Sequence, residues 1–222
     1  MTETLTRTSG TWELIRIPAM LTLGVTVLRL VGELQHWSPL FYNPHPGGGA
    51  ALVGIVWLAP IFGIYFALKL KARGETPKIG RAIGFAVLGL LIIVGGSGLT
   101  HLVFHMGTPT FIIMFQIIAA VGGLVQLYGW PSLSRILLAY GFAARIPVVL
   151  LMFFAIRGNW GTHYEGGPPG FPEMSWFPKF VVIGLLPQLL FWITFTMIFG
   201  ALAGAIAVAV ARKRAPALQT TS

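Results

Sequence analysis

The feature that most constrains this chain is a series of six long stretches with almost no charged residue. Each is long enough to cross about 30 Å of hydrocarbon as a helix, which takes about 20 residues. Their apolar residues run continuously, without the alternation of period two that is typical of a membrane β-barrel. We therefore predict an all-α integral membrane protein, a bundle of six transmembrane helices embedded in a lipid bilayer. The spans are expected at about 14–36, 50–70, 80–101, 110–130, 134–156 and 180–211.

Composition agrees with this prediction and excludes two other classes of protein. Only 9% of the 222 residues are charged and 55% are hydrophobic, whereas an average soluble domain has about 25% charged residues. A disordered chain is excluded because such chains are poor in apolar residues. We expect a short N-terminal segment at 1–13, one membrane domain at 14–211 and a basic tail at 212–222. The absence of cysteine excludes thiolate ligands and thiol nucleophiles.

The net charge of +9 is explained by topology and predicts no nucleic-acid partner. Of the 15 Lys and Arg residues, only Arg157 and Lys179 fall on one side of the predicted bundle, while Arg29 and Arg145 lie within spans. The positive-inside rule then places both termini in the cytoplasm, as an even number of spans requires, most simply in a bacterial-type inner membrane. The remaining eleven fall on the cytoplasmic side: Arg7, Arg16, Lys69, Lys71, Arg73, Lys78, Arg81, Arg135, Arg212, Lys213 and Arg214.

On this topology every histidine lies at or beyond the outer membrane surface, together with half of the six glutamates. Arg29, Glu33 and His36 are spaced i, i+4 and i+7, which is one stripe of the first helix. His101 and His105 are spaced i, i+4 and share a face if the third helix continues through His105. The residues on this side are His36, His45, His101, His105 and His163, with Glu33, Glu165 and Glu173.

These side chains favour an outer-leaflet site for a transition metal or haem, with redox chemistry as one use. Imidazole and carboxylate are common ligands of transition metals, and two imidazoles can hold haem. Alternatives are a polar-substrate or quinone site, and plain structural hydrogen bonding. A single Glu-x-x-His motif is a weak signal, because the di-metal bundle sites need two. The expected ligands are His36, His101, His105 and Glu33, with His163 and Glu165 closing the site from the loop.

Arg145 indicates a second kind of site, because it falls near the middle of the fifth span. A charge at that depth costs at least about 2.5–3.5 kcal/mol, so it must face the bundle and find a partner. No acid lies at that depth, but Gln188 does, and Pro147 and Pro187 free backbone carbonyls nearby. An anionic ligand and a structural Arg–Gln–carbonyl network are both open. The first predicts a transporter of a small solute, lipid or quinone that uses Arg145 and Gln188.

Arg29 completes this list of possible ligand-binding residues, although Glu33 is its obvious local partner. If that pair is structural, Glu33 is less available as a metal ligand. The long loop at 157–179 is rich in Gly, Pro and aromatic residues, and it is predicted either to cover the histidines or to dock membrane-protein partners. A non-catalytic subunit of a larger membrane complex is therefore a third class. No nucleotide-binding or hydrolase motif is present, so no reaction is predicted.

Overall fold

A computed structural model of the protein describes residues 2–45 and 51–213, and the side chains of residues 10–45 and 51–212. Residues 46–50 of the first predicted loop and 214–222 of the predicted basic tail lie outside the described residues. Every regular element in the described part is helical, which confirms the predicted all-α bundle.

Six helical stretches follow one another along the chain. The fourth, α4, is extended by a 3₁₀ turn at Gln126–Tyr128. The last, α6, is continuous but changes geometry: it is α-helical at Trp176–Lys179, π-helical at Phe180–Leu185 and Pro187–Phe191, and α-helical again at Trp192–Lys213. The others are α1 Thr2–Leu34, α2 Leu58–Ala72, α3 Ile79–Val103, α4 Pro109–Val125 and α5 Pro131–Gly158.

Five of these helices, all but α2, are long and apolar enough to cross a membrane. The predicted second span at 50–70 is corrected by the structure, because its helix begins only at Leu58. Pro60 lies in the first turn of α2, where a missing N–H costs nothing. Residues 51–57 are irregular, and the N–H groups of Leu52 and Val53 donate to the carbonyls of Leu40 and Phe41. With 15 residues, α2 is about 22 Å long, shorter than a hydrocarbon core of about 30 Å.

Contacts between distant segments define two ends of the bundle. At one end Arg212 Nη2 donates to the carbonyl of Pro77 at 3.2 Å, and Trp130 Nε1 donates to Glu75 Oε2 at 2.9 Å. We call this the basic end, because the α2–α3 turn and the helix ends beside it carry a cluster of basic residues: Lys69, Lys71, Arg73, Lys78 and Arg81. At the opposite end the backbone N–H of His163 donates to Glu33 Oε2 at 3.1 Å. We call this the loop end.

The helices pack in two different ways. On α2 and α6, small residues let the two backbones touch, because a Cβ added at Gly63 would clash with backbone atoms of Gly200. Gly204 approaches Ala67 and the backbone of Gly63 in the same way, and a Gly-x-x-x-Gly spacing generally allows two helices this close. By contrast, α1 leans on α5 and barely contacts α2. A gap therefore opens beside α1, and it is part of the cavity described next.

Candidate ligand-binding site

A cavity of about 480 Å³ lies between α1, the irregular segment 51–57, α5 and α6. This volume is within the range of about 300–1,000 Å³ typical of small-molecule pockets. Most of its wall is apolar, formed by aliphatic and aromatic side chains such as Val148, Ile183 and Trp192. The side chains with polar groups are Thr26, Arg29, Arg145, His163, Tyr164 and Gln188.

Arg145 occupies the middle of α5, about 20 Å from either end of the helix, and only 4% of the residue is exposed. Its Nη1 donates to Gln188 Oε1 at 3.2 Å, and its guanidinium lies 4.8 Å from the ring centre of Trp192. The Nε atom is buried without a hydrogen-bond partner. No carboxylate of the described residues forms an ion pair with Arg145. A positive charge without a carboxylate partner among the described residues therefore lines the cavity. We call Arg145, Gln188 and Trp192 the Arg145 cluster.

The geometry of α6 brings Gln188 and Trp192 to the same arginine. The two residues are four positions apart, so they share a face of the helix. Gln188 lies in the π-helical segment Pro187–Phe191, and wide turns of this kind often re-aim side chains at functional sites. Gln188 Nε2 points at the sulfur of Met152 at 3.5 Å, so its oxygen is left to accept from Arg145. This contact matches the Arg145–Gln188 partnership expected from sequence.

A second polar group sits at the loop end and is paired within itself. Glu33 is 1% exposed and accepts a hydrogen bond from Arg29 Nε at 2.9 Å, which confirms the predicted pair. Its other contacts come from His163, whose backbone N–H lies 3.1 Å away and whose Nδ1 lies 2.6 and 2.8 Å from the two carboxylate oxygens. We call Arg29, Glu33 and His163 the Glu33 cluster. Its carboxylate is occupied, and it ties the loop to α1.

Burial lowers the pKa of His163 below its ordinary value, although its hydrogen bond to Glu33 opposes that shift. The ring is therefore neutral near pH 7, with the Nδ1–H donated to the carboxylate. Tyr164, next in the chain, packs against His163 with ring centres 3.8 Å apart and ring planes tilted by 42°. Burial also raises the pKa of the Tyr164 phenol, which keeps it protonated. These two rings form the wall of the cavity nearest the loop end.

Glu165 forms hydrogen bonds within its own loop. Its carboxylate accepts the backbone N–H of Trp160 at 2.7 Å and that of Gly161 at 2.5 Å. Asn159 and Gly161 both have left-handed backbone, with φ of 51° and 75°, so the chain turns sharply there. The carboxylate stabilises this turn by taking up two backbone donors. The predicted role of Glu165 in closing a metal site has no counterpart in these contacts.

His36 does not extend the stripe formed by Arg29 and Glu33. The helix α1 ends at Leu34, and His36 has a left-handed φ of 52°. The N–H of Trp37 reaches back to the carbonyl of Gly32, and that of His36 reaches the carbonyl of Glu33. This is a Schellman motif, which turns the chain out of the helix. The i+7 position predicted for His36 is therefore wrong.

His101 and His105 do not share a helix face, because the helix ends before His105. The helix α3 ends at Val103 and Phe104 is extended, so His105 lies in the turn to α4. The turn must be short because Thr108 already caps α4, accepting from the N–H of Phe111 at 3.3 Å. His101 instead meets the edge of Phe111, with ring centres 6.3 Å apart. Both histidines are exposed, and so is His45 in the first loop.

The predicted metal set is consequently not assembled. Within residues 10–45 and 51–212, no three His, Cys, Asp or Glu side chains come together in a way that could hold a metal ion. Of the set His36, His101, His105 and Glu33, only Glu33 is buried, and its oxygens are taken by Arg29 and His163. The structure does bring together Arg29, Arg145, His163 and Gln188 around one cavity.

No protein-family model, curated protein or solved structure matches this chain.

Several residues of the site carried little signal in the sequence. Trp192 could have been found, because it lies one helical turn beyond Gln188. Tyr164 and Thr26 offered none, since a single Tyr or Thr near a span is ordinary. The irregular segment 51–57 was hidden in a continuous apolar run, and only Pro60 marked where a helix would begin.

Proposed function

We propose that this integral membrane protein binds a small organic anion in the cavity between α1, α5 and α6, and carries it through the bilayer. Arg145 is the anchor for the anionic group, and Gln188 holds the guanidinium in place. The π-helical change in α6 beside Arg145 resembles the interrupted helices that line substrate sites near the midplane of transporters.

The observation that carries the proposal is the state of Arg145. A buried charge is strongly disfavoured unless it is paired and hydrogen-bonded. Here the cation has one amide oxygen, one aromatic face and a buried Nε without a partner. An anion in the adjacent cavity would supply the missing counter-charge. A neutral quinone would supply an acceptor but no charge, so an anion fits better.

The other two classes predicted from sequence have weaker support. A metal or haem site would need ligands that converge, and the described histidines and glutamates do not. Docking through the loop at 157–179 stays a prediction. The middle of that loop packs on its own bundle, with Thr162 and Tyr164 only 3% and 4% exposed, although Trp160 and Trp176 remain accessible.

The proposal is tested by what the purified protein retains. Wild-type protein, extracted gently and analysed by native mass spectrometry, should carry an anionic small molecule that Arg145→Leu has lost. Arg157→Leu is the matched control, because it removes the same charge from the exposed end of the same helix. If Arg145→Leu, correctly folded, carries the same molecule in the same amount as wild type, Arg145 is not the anchor.

We also propose that the basic end faces the cytoplasm and the loop end the opposite side, as the positive-inside rule favours. Because the chain has no cysteine, single cysteines can report sidedness directly. Ser175→Cys in the long loop and Thr76→Cys in the α2–α3 turn both lie at exposed positions. A membrane-impermeant maleimide added to intact cells should label the first and spare the second. The reverse pattern would invert the orientation.

A further inference from the structure

We propose that the ligand is a single-chain amphiphile with a carboxylate head, and that its tail leaves the cavity sideways into the bilayer. This inference rests on the proposed function and names its ligand class. The head would sit at Arg145. The tail would pass between α1 and the irregular segment 51–57, through what we call the lateral opening, which is bounded by Val25, Leu52 and Trp57.

We infer the lateral opening from the exposed residues among those that line the cavity. Leu52 and Trp57 line the cavity, yet 56% and 63% of their surfaces are accessible. Large apolar side chains that border a cavity and also face outward mark a passage between the two. The passage lies where α1 barely contacts α2, since α1 packs on α5 through Thr22 and Tyr140, whose hydroxyl oxygens are 2.7 Å apart.

The depth of this opening places it beside lipid tails. Trp57, on the side of the opening nearest the basic end, directly precedes α2. Because α2 is about 22 Å long and ends at the basic end, Trp57 lies about 22 Å from that end. That distance is less than the thickness of the hydrocarbon core, about 30 Å. Arg145 lies at a comparable height, about 21 Å along α5 from its start at Pro131 at the basic end. A tail leaving through the opening therefore meets hydrocarbon.

The backbone of segment 51–57 gives an independent reason to expect a ligand here. Non-helical backbone at membrane depth is tolerated where it is buried in protein or lines a cavity. Six of the seven residues of this segment, all but Val53, line the cavity and form its outer wall. Two of its N–H groups are satisfied by the carbonyls of Leu40 and Phe41, so the irregular stretch is held in place.

The chemistry of the wall then selects the ligand. One uncompensated cation at mid-depth suits one small anionic head, and a carboxylate matches the flat donor fork of arginine. The aliphatic side chains around the opening, such as Val25, Leu52 and Ile55, offer contacts to an alkyl chain and no hydrogen bond. Polar groups of a ligand that lay along them would stay unpaired.

The test measures how affinity depends on chain length. Hexanoate, decanoate and tetradecanoate, with decanol as the uncharged probe, are titrated into protein in lipid nanodiscs, and empty nanodiscs are subtracted. Each added methylene should strengthen binding from water roughly fourfold, with no upper limit of length, because the tail continues into lipid. Decanol should bind much more weakly than decanoate.

Two variants locate the tail. Val25→Trp fills the opening, so it should weaken tetradecanoate binding at least tenfold while sparing hexanoate. Val27→Trp is the matched control on the same helix, since Val27 faces outward at 48% exposure and does not line the cavity. Leu52→Trp narrows the opening from the other side and is read in the same way, so a folding defect in one variant leaves the other to decide.

The outcomes separate this inference from the proposed function. If none of the carboxylates binds and no anion is retained by the purified protein, both fail. If hexanoate binds and longer chains bind no better, or are rejected, the cavity is closed to lipid and only the lateral route is overturned. Equal weakening of all three acids by Val25→Trp and Leu52→Trp would also overturn it. Tight, Arg145-independent binding of decanol would show that the head is not recognised as an anion.

Discussion

Two arginines lie beside one cavity, and their surroundings differ in one decisive respect. Arg29 has Glu33 four residues further along the same helix, and its Nε donates to that carboxylate at 2.9 Å. Arg145 has no carboxylate partner among the described residues and shares only an amide oxygen and an indole ring. The first arginine belongs to a cluster that is complete. The second belongs to a cluster that lacks an anionic partner, which a bound ligand could supply. We therefore assign structural support to Arg29 and ligand recognition to Arg145.

The Glu33 cluster owes its completeness to a long-range contact. His163 lies 130 residues from Glu33 in the chain, yet its backbone N–H and its ring both donate to the carboxylate. This contact fixes the loop over the loop end of the cavity. No loop segment covers the Arg145 cluster in this way, because that cluster faces the cavity. The predictions below alter one cluster at a time.

The largest effect is expected from Glu33→Gln. The substitution leaves the partly buried Arg29 without its counter-ion and weakens the contact with His163, so the free energy of unfolding should fall by about 3–5 kcal/mol. Thermal unfolding in mild detergent measures it. Glu173→Gln is the control, because it removes the same charge from an exposed position of the long loop. Equal melting temperatures for the two variants would show that the Glu33 cluster contributes little.

Arg145→Leu should separate binding from stability. Decanoate affinity is expected to fall roughly tenfold to a hundredfold, the usual worth of a hydrogen bond to a charged group. The ligand-free protein should lose little stability, because a buried charge without a counter-ion is removed. Arg29→Leu is the comparison, and it should unfold much more easily, since it strands Glu33. If Arg145→Leu destabilises the ligand-free protein as much as Arg29→Leu does, the two arginines play the same structural role.

Gln188→Leu should have a smaller effect on the same site. Losing the amide oxygen frees the guanidinium to shift, so decanoate binding is expected to weaken roughly twofold to tenfold. Isothermal titration calorimetry resolves this change. Gln116→Leu is the matched control, because Gln116 is an equally buried glutamine on α4 that does not line the cavity. Identical losses in both variants would mean that any buried amide matters, whatever its position.

The smallest effect is a dependence on pH that comes from His163. Its pKa is lowered in the folded protein, mainly by burial, so the unfolded chain takes up a proton at a higher pH. Stability is therefore full above the ordinary histidine pKa of about 6.5 and declines as the pH falls below it. The melting temperature should decrease between about pH 7.5 and 5.5. His163→Gln should flatten that decrease, and an unchanged slope would assign it to other groups.

The sequence predicted the features that depend on local pattern. Continuous apolar runs were enough for the helices, and the i, i+4 spacing was enough for the Arg29–Glu33 pair. Counting residues along two spans also matched Arg145 with Gln188, because depth in a membrane is nearly proportional to position in a helix.

What the sequence did not predict depends on where helices stop and on contacts between distant segments. The histidine pattern assumed that α1 and α3 continue past Leu34 and Val103, and both end earlier. His163 was assigned to a metal site because nothing local relates it to Glu33. The irregular segment 51–57 reads as apolar as any helix, and it was the packing of α2 against α6 that left it to line the cavity.

Ligand-induced stabilisation is the most direct test of whether Arg145 binds an anion. Unfolding of wild type and Arg145→Leu is followed with and without decanoate at about a hundred times its dissociation constant, where a specific ligand adds about 2.7 kcal/mol of stability. The account predicts a clear rise in the melting temperature of wild type and little or none in Arg145→Leu, with decanol ineffective in both. An equal rise in the two proteins, or none in wild type with any organic anion that is offered, would contradict it.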